Sequence, residues 1–334
     1  MEKVYLVTGA AGHLGNTIVR KLLEKKGLIR VFILKGDTFP IEDKRISIFY
    51  GDVTDKETIK PFVQGLEKTD SICIHCAGIV SIASRYEEKV YQVNVNGTKN
   101  IMDACMENNI KRVIHVSSVH AIKENKDGSI IKEATSFSKD NVEGLYAKTK
   151  AEASAYVLCM AKKGLNVSIV HPSGIFGPGD YGHGHLTQLI IDYCNHRLTA
   201  AVKGGYDFVD VRDVADGIIS CITKGSSGKC YILSNKHFEI KEILEMLHEI
   251  TGHKKIKTIL PIWFAKLTAP LSEWYYRLKK QPPLYTSYSL YTLTTNSLFT
   301  HKLATKELNY HPRPMNDTLR DTVNWLKEQG RINK

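Results

Sequence analysis

Residues 4–15 read Val4-Tyr-Leu-Val-Thr8-Gly9-Ala-Ala-Gly12-His13-Leu14-Gly15, and an amphipathic stretch from Asn16 to Lys26 follows. The first five residues are a short apolar run, which predicts a buried strand. The three glycines come next, and the amphipathic stretch predicts a helix. Strand, glycine-rich turn and helix in that order are the context of a dinucleotide-binding βαβ unit. In such a unit Gly9 permits the tight turn, Gly12 lets the backbone approach a pyrophosphate, and Gly15 lets the helix pack on the strand. The start of the helix offers free N–H groups and the positive end of the dipole to the phosphates. The spacing is G-x-x-G-x-x-G rather than G-x-G-x-x-G. The competing reading is a loop that needs glycine only for its own geometry.

The pattern around this unit agrees with it. Apolar runs at 3–8, 29–34, 46–49, 71–75, 112–117 and 166–170 alternate with amphipathic stretches near 14–26, 55–65, 86–108 and 145–163. Alternating strands and helices predict an α/β fold, a doubly wound parallel sheet. Past Pro172 the pattern changes. A Gly/Pro/His-rich loop from Gly174 to His185 precedes a helix, a return to the sheet region over 206–234, and a C-terminal part. The expected organisation is a dinucleotide-binding domain (1–171 plus 206–234) and a smaller, mostly helical substrate domain (172–205 plus 235–330). Ligands of open α/β sheets bind at the carboxyl ends of the strands. That places Gly9–Gly15, Cys76–Val80, Ser118–His120 and Pro172–Phe176 along one edge of the cleft. The polar segment from Lys123 to Glu143 reads equally as a lid or as a solvated loop.

Composition excludes several classes. The 334 residues are 43% hydrophobic and 24% charged, ordinary for a soluble globular chain. No apolar run reaches the roughly 18 residues needed to span a bilayer, and Met1-Glu-Lys leads straight into a strand, which predicts no secretory signal. The net charge is +11, but the 46 Lys and Arg residues are dispersed. A solvated lysine-rich surface that steers an anionic substrate is favoured over nucleic-acid binding. Seven cysteines are scattered along the chain. Cys73 and Cys76 form C-x-x-C with no second pair or His cluster, so no metal site is expected and the thiols read as small buried hydrophobes in a reducing cytoplasm.

Tyr146-Ala-Lys-Thr-Lys150 carries the chemistry. It lies in a stretch that reads as one helix, so Tyr146 and Lys150 share a face one turn apart. A tyrosine titrates near about 10, and a lysine ammonium one turn away is expected to lower that value, which makes the phenol a usable acid or base.

These residues resemble the extended short-chain dehydrogenase/reductase family, in its 3β-hydroxysteroid dehydrogenase and dihydroflavonol-reductase branch, and the resemblance covers nearly the whole chain. Thr8-Gly9-x-x-Gly12-x-x-Gly15 is similar to the cofactor loop. Gly51-Asp52-Val53-Thr54-Asp55 resembles the segment whose Asp binds adenine, and His75-Cys76-Ala77-Gly78 the strand end beside the cofactor. Asn94-Val-Asn96-Gly-Thr98 resembles the N-V-x-G-T helix. Val116-Ser117-Ser118 resembles the strand with the catalytic Ser, Ser118 being the better aligned. His171-Pro172, Gly177-Pro178-Gly179-Asp180 and Val211-x-Asp213-Val-Ala215 match later landmarks, although the wider family often has Arg where His171 stands. Asn296-Ser-Leu-Phe299-Thr, Lys302-x-Ala304-x-x-Glu307-Leu-Asn-Tyr310-x-Pro312 and the terminal helix from Thr318 to Trp325 resemble the tail of the branch.

The resemblance implies a Rossmann-type fold and hydride transfer between nicotinamide and an alcohol/carbonyl pair. Tyr146 is the proton donor or base, Lys150 holds the nicotinamide ribose, and Ser118 orients the reacting oxygen. Leu14, Val53, Asn94, Pro172 and Ile175 join the cofactor contacts; Asn94 reads equally as a helix-internal polar residue. His115 is assigned no role. The second strand ends Leu34-Lys35-Gly36-Asp37, where an acidic residue would select NAD. Lys35, with His13, favours the 2′-phosphate of NADP(H); Asp37 leaves NAD(H) open. The stretch Leu260-Pro-Ile-Trp263-Phe264 to Trp274-Tyr-Tyr276, with Pro282-Pro283, reads as a wall for a flat apolar ligand, as ordinary packing, or, with Arg277, Lys279 and Lys280, as a peripheral membrane face. The expected substrate is hydrophobic, a 3β-hydroxysteroid or 3-oxosteroid, with anionic bile-acid-like ligands included. The alternatives are a nucleotide-sugar epimerase or dehydratase, for which Arg197, Lys203 and Arg212 are partial support, and a non-enzymatic dinucleotide sensor, which would need no Ser–Tyr–Lys set. A homodimer through the helices near 86–108 and 145–163 is implied by the family only.

Overall fold

A computed structural model of the chain describes residues 1–182, 184–268 and 286–332. Seven parallel strands form the main sheet: β1 (Lys3–Thr8), β2 (Leu28–Ile33), β3 (Ile46–Tyr50), β4 (Asp70–His75), β5 (Arg112–Val116), β6 (Val167–Pro172) and, later in the chain, β10 (Cys230–Leu233). Their order is β10-β6-β5-β4-β1-β2-β3. The direction of winding reverses between β1 and β4, the switch point at which such sheets open a crevice.

Alternation within β1 shows how the sheet is buried on both faces. Tyr5 and Val7 join one core with Ile18, Val19 and Leu22 of α1 (His13–Leu23) and Val214 and Ile218 of α7 (Val211–Lys224). Val4 and Leu6 join the opposite core with Ile59 and Phe62 of α2 (Lys56–Val63), Ile101 and Met102 of α4 (Thr98–Glu107) and Val157 of α5 (Leu145–Lys162). The helix expected over 86–108 is present from Glu88 to Glu107, with a change of winding inside it. It runs as α3 (Glu88–Tyr91), a π-helical segment (Gln92–Gly97) and α4. The widened turn carries Asn94, whose side chain bonds the backbone of Ile79.

A third core fills the smaller part. It combines β7 (Gly174–Phe176), β8 (Ala201–Val202), β9 (Gly205–Asp210), β11 (Lys236–Glu239) and β12 (Ile259–Leu260) with α6 (His185–Cys194), α8 (Ile240–Thr251) and α12 (Met315–Glu328). Ile190, Phe208, Leu244, Leu247, Leu319 and Val323 are its buried centre. Residues 262–268 (α9) and α10 (Ser287–Thr292) meet in a small cluster of Ala265 and Leu290, and α11 (Lys302–Leu308) packs Ala304 and Leu308 on the core of α1 and α7. Residues 206–234, grouped from sequence with the dinucleotide-binding part, divide between the two. α7 packs on α1 and β10 pairs with β6, whereas β9 pairs with β7 and β11 in a separate three-stranded sheet.

The tail motif holds the parts together. The Tyr310 hydroxyl is buried and donates to Ser234 O (3.1 Å). Glu307 accepts from Tyr231 Oη (2.8 Å) and Lys229 Nζ (2.7 Å). Arg313 pairs with Asp213 (2.7 Å).

Candidate active site

The glycine turn has the expected construction. Gly9 has φ +66°, and a Cβ there would lie 2.8 Å from the Ala77 backbone. A Cβ at Gly15 would lie 2.2 Å from Gly9 O, so helix and turn meet without side chains between them. Gly12 N-caps α1 with extended backbone and no side-chain cap. The first N–H groups of α1 therefore face outward at the switch point, where a pyrophosphate fits.

Ser118, Tyr146 and Lys150 converge at the ends of β5 and α5, each at most 8% exposed. The two adjacent serines separate by role. Ser117 Oγ lies 2.7 Å from Ser154 Oγ and fastens β5 to α5. The Ser118 hydroxyl donates to the Tyr146 phenol and pulls its pKa down, but burial is the larger influence and leaves the phenol at about 12. The expected lowering by Lys150 is not what sets Tyr146 here. Lys150 Nζ donates to Val116 O (3.1 Å), toward the sheet, and burial lowers its own pKa to about 8. A Cβ at Gly78 would sit 3.2 Å from both Lys150 Nζ and Asn94 Oδ1. The bare Gly78 backbone thus leaves a gap facing a buried ammonium with N–H groups to spare, a donor set that fits ribose hydroxyls. The residues present fit a nicotinamide dinucleotide.

Beneath this gap runs a buried hydrogen-bond chain that the sequence did not reveal. Thr98 Oγ1 donates to Asn94 O (2.7 Å), so it accepts from His75 Nε2 (3.1 Å). His75 Nδ1 then accepts from Thr8 Oγ1 (2.7 Å), which in turn accepts from Ala77 N–H (3.2 Å). Each hydroxyl has one proton, so the order fixes the tautomer of His75. Burial lowers its pKa to about 3 and keeps it neutral. The chain ties β1, β4 and α4 together immediately behind Ala77 and Gly78. Asn94 adds a two-point clasp on Ile79, accepting from its N–H (2.7 Å) and donating to its C=O (3.0 Å). Its place in the π-helical segment and its bond to Thr149 (3.1 Å) give it a positioning role.

The profile of the 3-beta hydroxysteroid dehydrogenase/isomerase family matches residues 6–235. The chain belongs to that family. It is 31% identical to the "Sterol demethylase protein B" of Methylococcus capsulatus, over 98% of this chain and 99% of that one. It is 27% identical to the "3 beta-hydroxysteroid dehydrogenase/Delta 5-->4-isomerase" of Vaccinia virus, over 97% and 99%. Among solved structures, that of gox2253 superposes with a TM-score of 0.85 at 30% identity, covering 99% of each chain. The protein is accordingly an NAD(P)-dependent oxidoreductase of the extended short-chain dehydrogenase/reductase type, acting on CH–OH groups.

In this 3-beta hydroxysteroid dehydrogenase/isomerase family member, a cavity of about 920 Å³ opens beside Tyr146. Gly144 and Ala147, which flank Tyr146, line it together with His120, Tyr206, Tyr288, Tyr291 and Phe299. The His120 ring meets Tyr146 edge-on (5.7 Å, 71°) and stacks on Tyr206 (5.3 Å, 14°). These aromatic walls differ from the expected stripe. Trp263 is 65% and Leu267 69% exposed, and neither they nor Phe264 line the cavity, because α9 turns only Lys266 toward it. Trp274 to Tyr276, Arg277, Lys279, Lys280 and Pro282-Pro283 lie outside the described residues. A sequence signal for the wall existed in Ser287-Tyr288-Ser-Leu-Tyr291, an aromatic pair three apart. The segment 123–143, read as lid or loop, is a pinned wall. Glu124 Oε1 accepts from Asn296 N–H (2.7 Å), and Ile131 pairs with Phe299.

The remaining predicted residues fall as follows. Asp52 Oδ1 accepts from Thr54 N–H (2.9 Å) and turns the chain after β3; Val53 packs under Gly97. Cys76 and Ile175 are half-buried and Pro172 is buried, all at the cleft edge. Lys35 is exposed just past β2, while Asp37 Oδ2 accepts from Leu34 N–H (3.3 Å). His13 Nε2 lies 3.0 Å from Pro178 O, which latches the 177–180 loop, and burial lowers its pKa. Arg212 is likewise committed, to Asp210 (2.7 Å) and Asp321 (2.6 Å). His171 fills the place of the family's Arg. Its Nδ1–H donates to Ser118 O (2.9 Å) and so holds the turn that carries Ser118.

Proposed function

We propose that the protein is an NADP(H)-dependent dehydrogenase interconverting a 3β-hydroxysteroid and its 3-oxosteroid, bile-acid-like carboxylates included. The observation that carries this reading is the aromatic-walled cavity beside Tyr146, whose volume of about 920 Å³ suits a flat multi-ring ligand. Lys123, Lys126 and Lys266 line the same cavity with Glu124, Asp140 and Glu143, so the lining is formally neutral, and what favours an anionic side chain is the net charge of +11 of the whole chain. The printed names of the sterol- and steroid-acting relatives support the same class. For the coenzyme, Asp37 is engaged by the backbone of its own turn, and Lys35 is left as the exposed side chain at the end of β2. A lysine there pairs with a 2′-phosphate. The nucleotide-sugar reading has weaker support, because Arg212 is tied to two carboxylates and Arg197 and Lys203 do not line the cavity.

The bound nicotinamide supplies or accepts the hydride. Tyr146, protonated below about 12, delivers its phenolic proton to the oxygen of the reacting carbonyl in reduction. Ser118, which donates to the phenol in the free protein, turns its one proton to the reacting oxygen when the substrate binds and orients it beside Tyr146. Lys150, its ammonium beside the Gly78 gap, offers N–H groups to the ribose of the bound coenzyme, and the Asn94 and His75 contacts keep the Ala77–Ile79 backbone in place.

The test is oxidation of NADPH and NADH, followed by absorbance, with 3-oxosteroids and 3-oxo bile acids, and a dihydroflavonol and simple aldehydes as controls. Steroid-dependent oxidation, faster with NADPH, is expected. No oxidation with any carbonyl, together with NAD retained through purification, would overturn the reading in favour of nucleotide sugars.

A further inference from the structure

Tyr288 carries a group that neither the fold nor the chemistry described so far uses. Its side chain is 8% exposed, and its hydroxyl has no hydrogen-bond partner among the described residues. An unpaired buried hydroxyl costs about 1–3 kcal/mol, and such groups in folded proteins call for a partner from elsewhere. Phenylalanine would fill the same space without that cost.

The surroundings hold this phenol rigidly at the reaction centre. Tyr288 sits on α10, whose N-cap Thr286 forms a reciprocal capping box with Ser289. The Thr286 hydroxyl also donates to Ile82 O (2.6 Å), which moors α10 to the segment that follows β4. The Tyr288 ring lies against Gly144, where a Cβ would come within 2.1 Å of it, so glycine at the start of α5 makes room for this ring. Gly144 is two residues from Tyr146. The ring also stands 6.4 Å from His120 and stacks on Tyr291 (6.3 Å, 22°). Tyr288 lines the 920 Å³ cavity. Burial and the neighbouring Tyr146 push its pKa up, so the hydroxyl is a proton-bearing donor at every working pH.

We propose that Tyr288 is a substrate-binding residue whose hydroxyl donates a hydrogen bond to an acceptor oxygen of the substrate other than the reacting one. Ser118 and Tyr146 already supply the hydroxyls of the reacting oxygen, so the Tyr288 bond is made equally in the ground and transition states. It belongs to KM and not to kcat. It also defines the ligand: an apolar body that carries a second acceptor, such as a hydroxyl, carbonyl or carboxylate, within reach of the catalytic tyrosine. This inference rests on the carbonyl-reductase reading of the site.

The experiment is Tyr288→Phe, read in two ways. In cofactor-free protein the variant is expected to melt at or above the wild-type temperature, because removal of an unpaired buried hydroxyl leaves nothing unsatisfied. A lower melting temperature would mean a structural partner and would overturn the proposal. In the kinetic arm, KM for the accepted carbonyl is expected to rise about tenfold, the loss of one hydrogen bond of about 1.4 kcal/mol. Expected alongside are kcat within about twofold and an unchanged KM for the nicotinamide. An unchanged substrate KM, or a fall confined to kcat, would overturn it. The melting arm needs no substrate, so a wild-type protein inactive on steroids counts against the steroid reading while Tyr288 is still judged.

Discussion

Acidification to pH 5 is expected to loosen this protein. His75, His115 and His171 lie on adjacent strands β4, β5 and β6, all at most 1% exposed, and His75 stacks on His115 (5.5 Å). Burial lowers His75 to about 3 and His171 to about 4; His120, on the turn after β5, also falls to about 4. His115 shifts well down for the same reason, with added repulsion from His75, Lys150 and His171. In the unfolded chain each titrates near about 6.5. Between these values the unfolded state binds protons that the folded state refuses, so stability falls as pH drops. By pH 5 each of His75, His120 and His171 removes about 2 kcal/mol, from about 1.4 kcal/mol per unit over 1.5 units, or about 6 kcal/mol together. Asp207 works in the opposite sense. Burial raises it to about 7, so its folded form gains about 2.5 kcal/mol on the same descent from pH 7.5. The net loss is about 3–4 kcal/mol, and His115 adds to it. Against a typical folding free energy of about 5–15 kcal/mol this is large. Urea unfolding of cofactor-free protein at pH 7.5 and 5.0 measures it directly. The midpoint should fall sharply at pH 5.0, and His171→Gln should reduce the pH slope by about one proton. Equal stability at the two pH values, or an unaltered slope in the variant, would refute the reasoning.

Three further outcomes are expected. Tyr146→Phe should lower carbonyl reduction about 10²–10⁴-fold with nicotinamide binding intact by fluorescence titration, since only the proton donor is lost. The pH profile of reduction should decline as pH rises past about 8, where Lys150 loses its charge, with no second decline until Tyr146 titrates near 12; a profile flat through pH 9 would contradict the role given to Lys150. Lys35→Glu should shift the NADPH-to-NADH preference by about tenfold or more toward NADH, equivalent to about 1.4 kcal/mol, and an unchanged ratio would remove Lys35 from the cofactor site.

The parts legible from sequence are those whose signal is local. The glycine spacing, the alternation of apolar runs and the one-turn offset of Tyr146 and Lys150 are properties of consecutive residues, because strand and helix periods act within about ten positions. Tertiary structure decided everything that depends on which distant groups compete for one partner. It separated Ser117 from Ser118 by placing Ser154 opposite the first. It bound Arg212 and His13 to neighbours far along the chain, and it turned Trp263 and Leu267 outward while Tyr206, Tyr288 and Tyr291 walled the cavity. It also set the proton states of Tyr146 and Lys150. The spacing predicts that a lysine lowers the phenol, but desolvation by the packed sheet, helix and turn outweighs it and leaves the phenol high and the ammonium low. Sequence by itself thus determined the scaffold and the candidates for the reacting groups, and folding decided their company and their charge, because burial is a property of all the elements that close around a site.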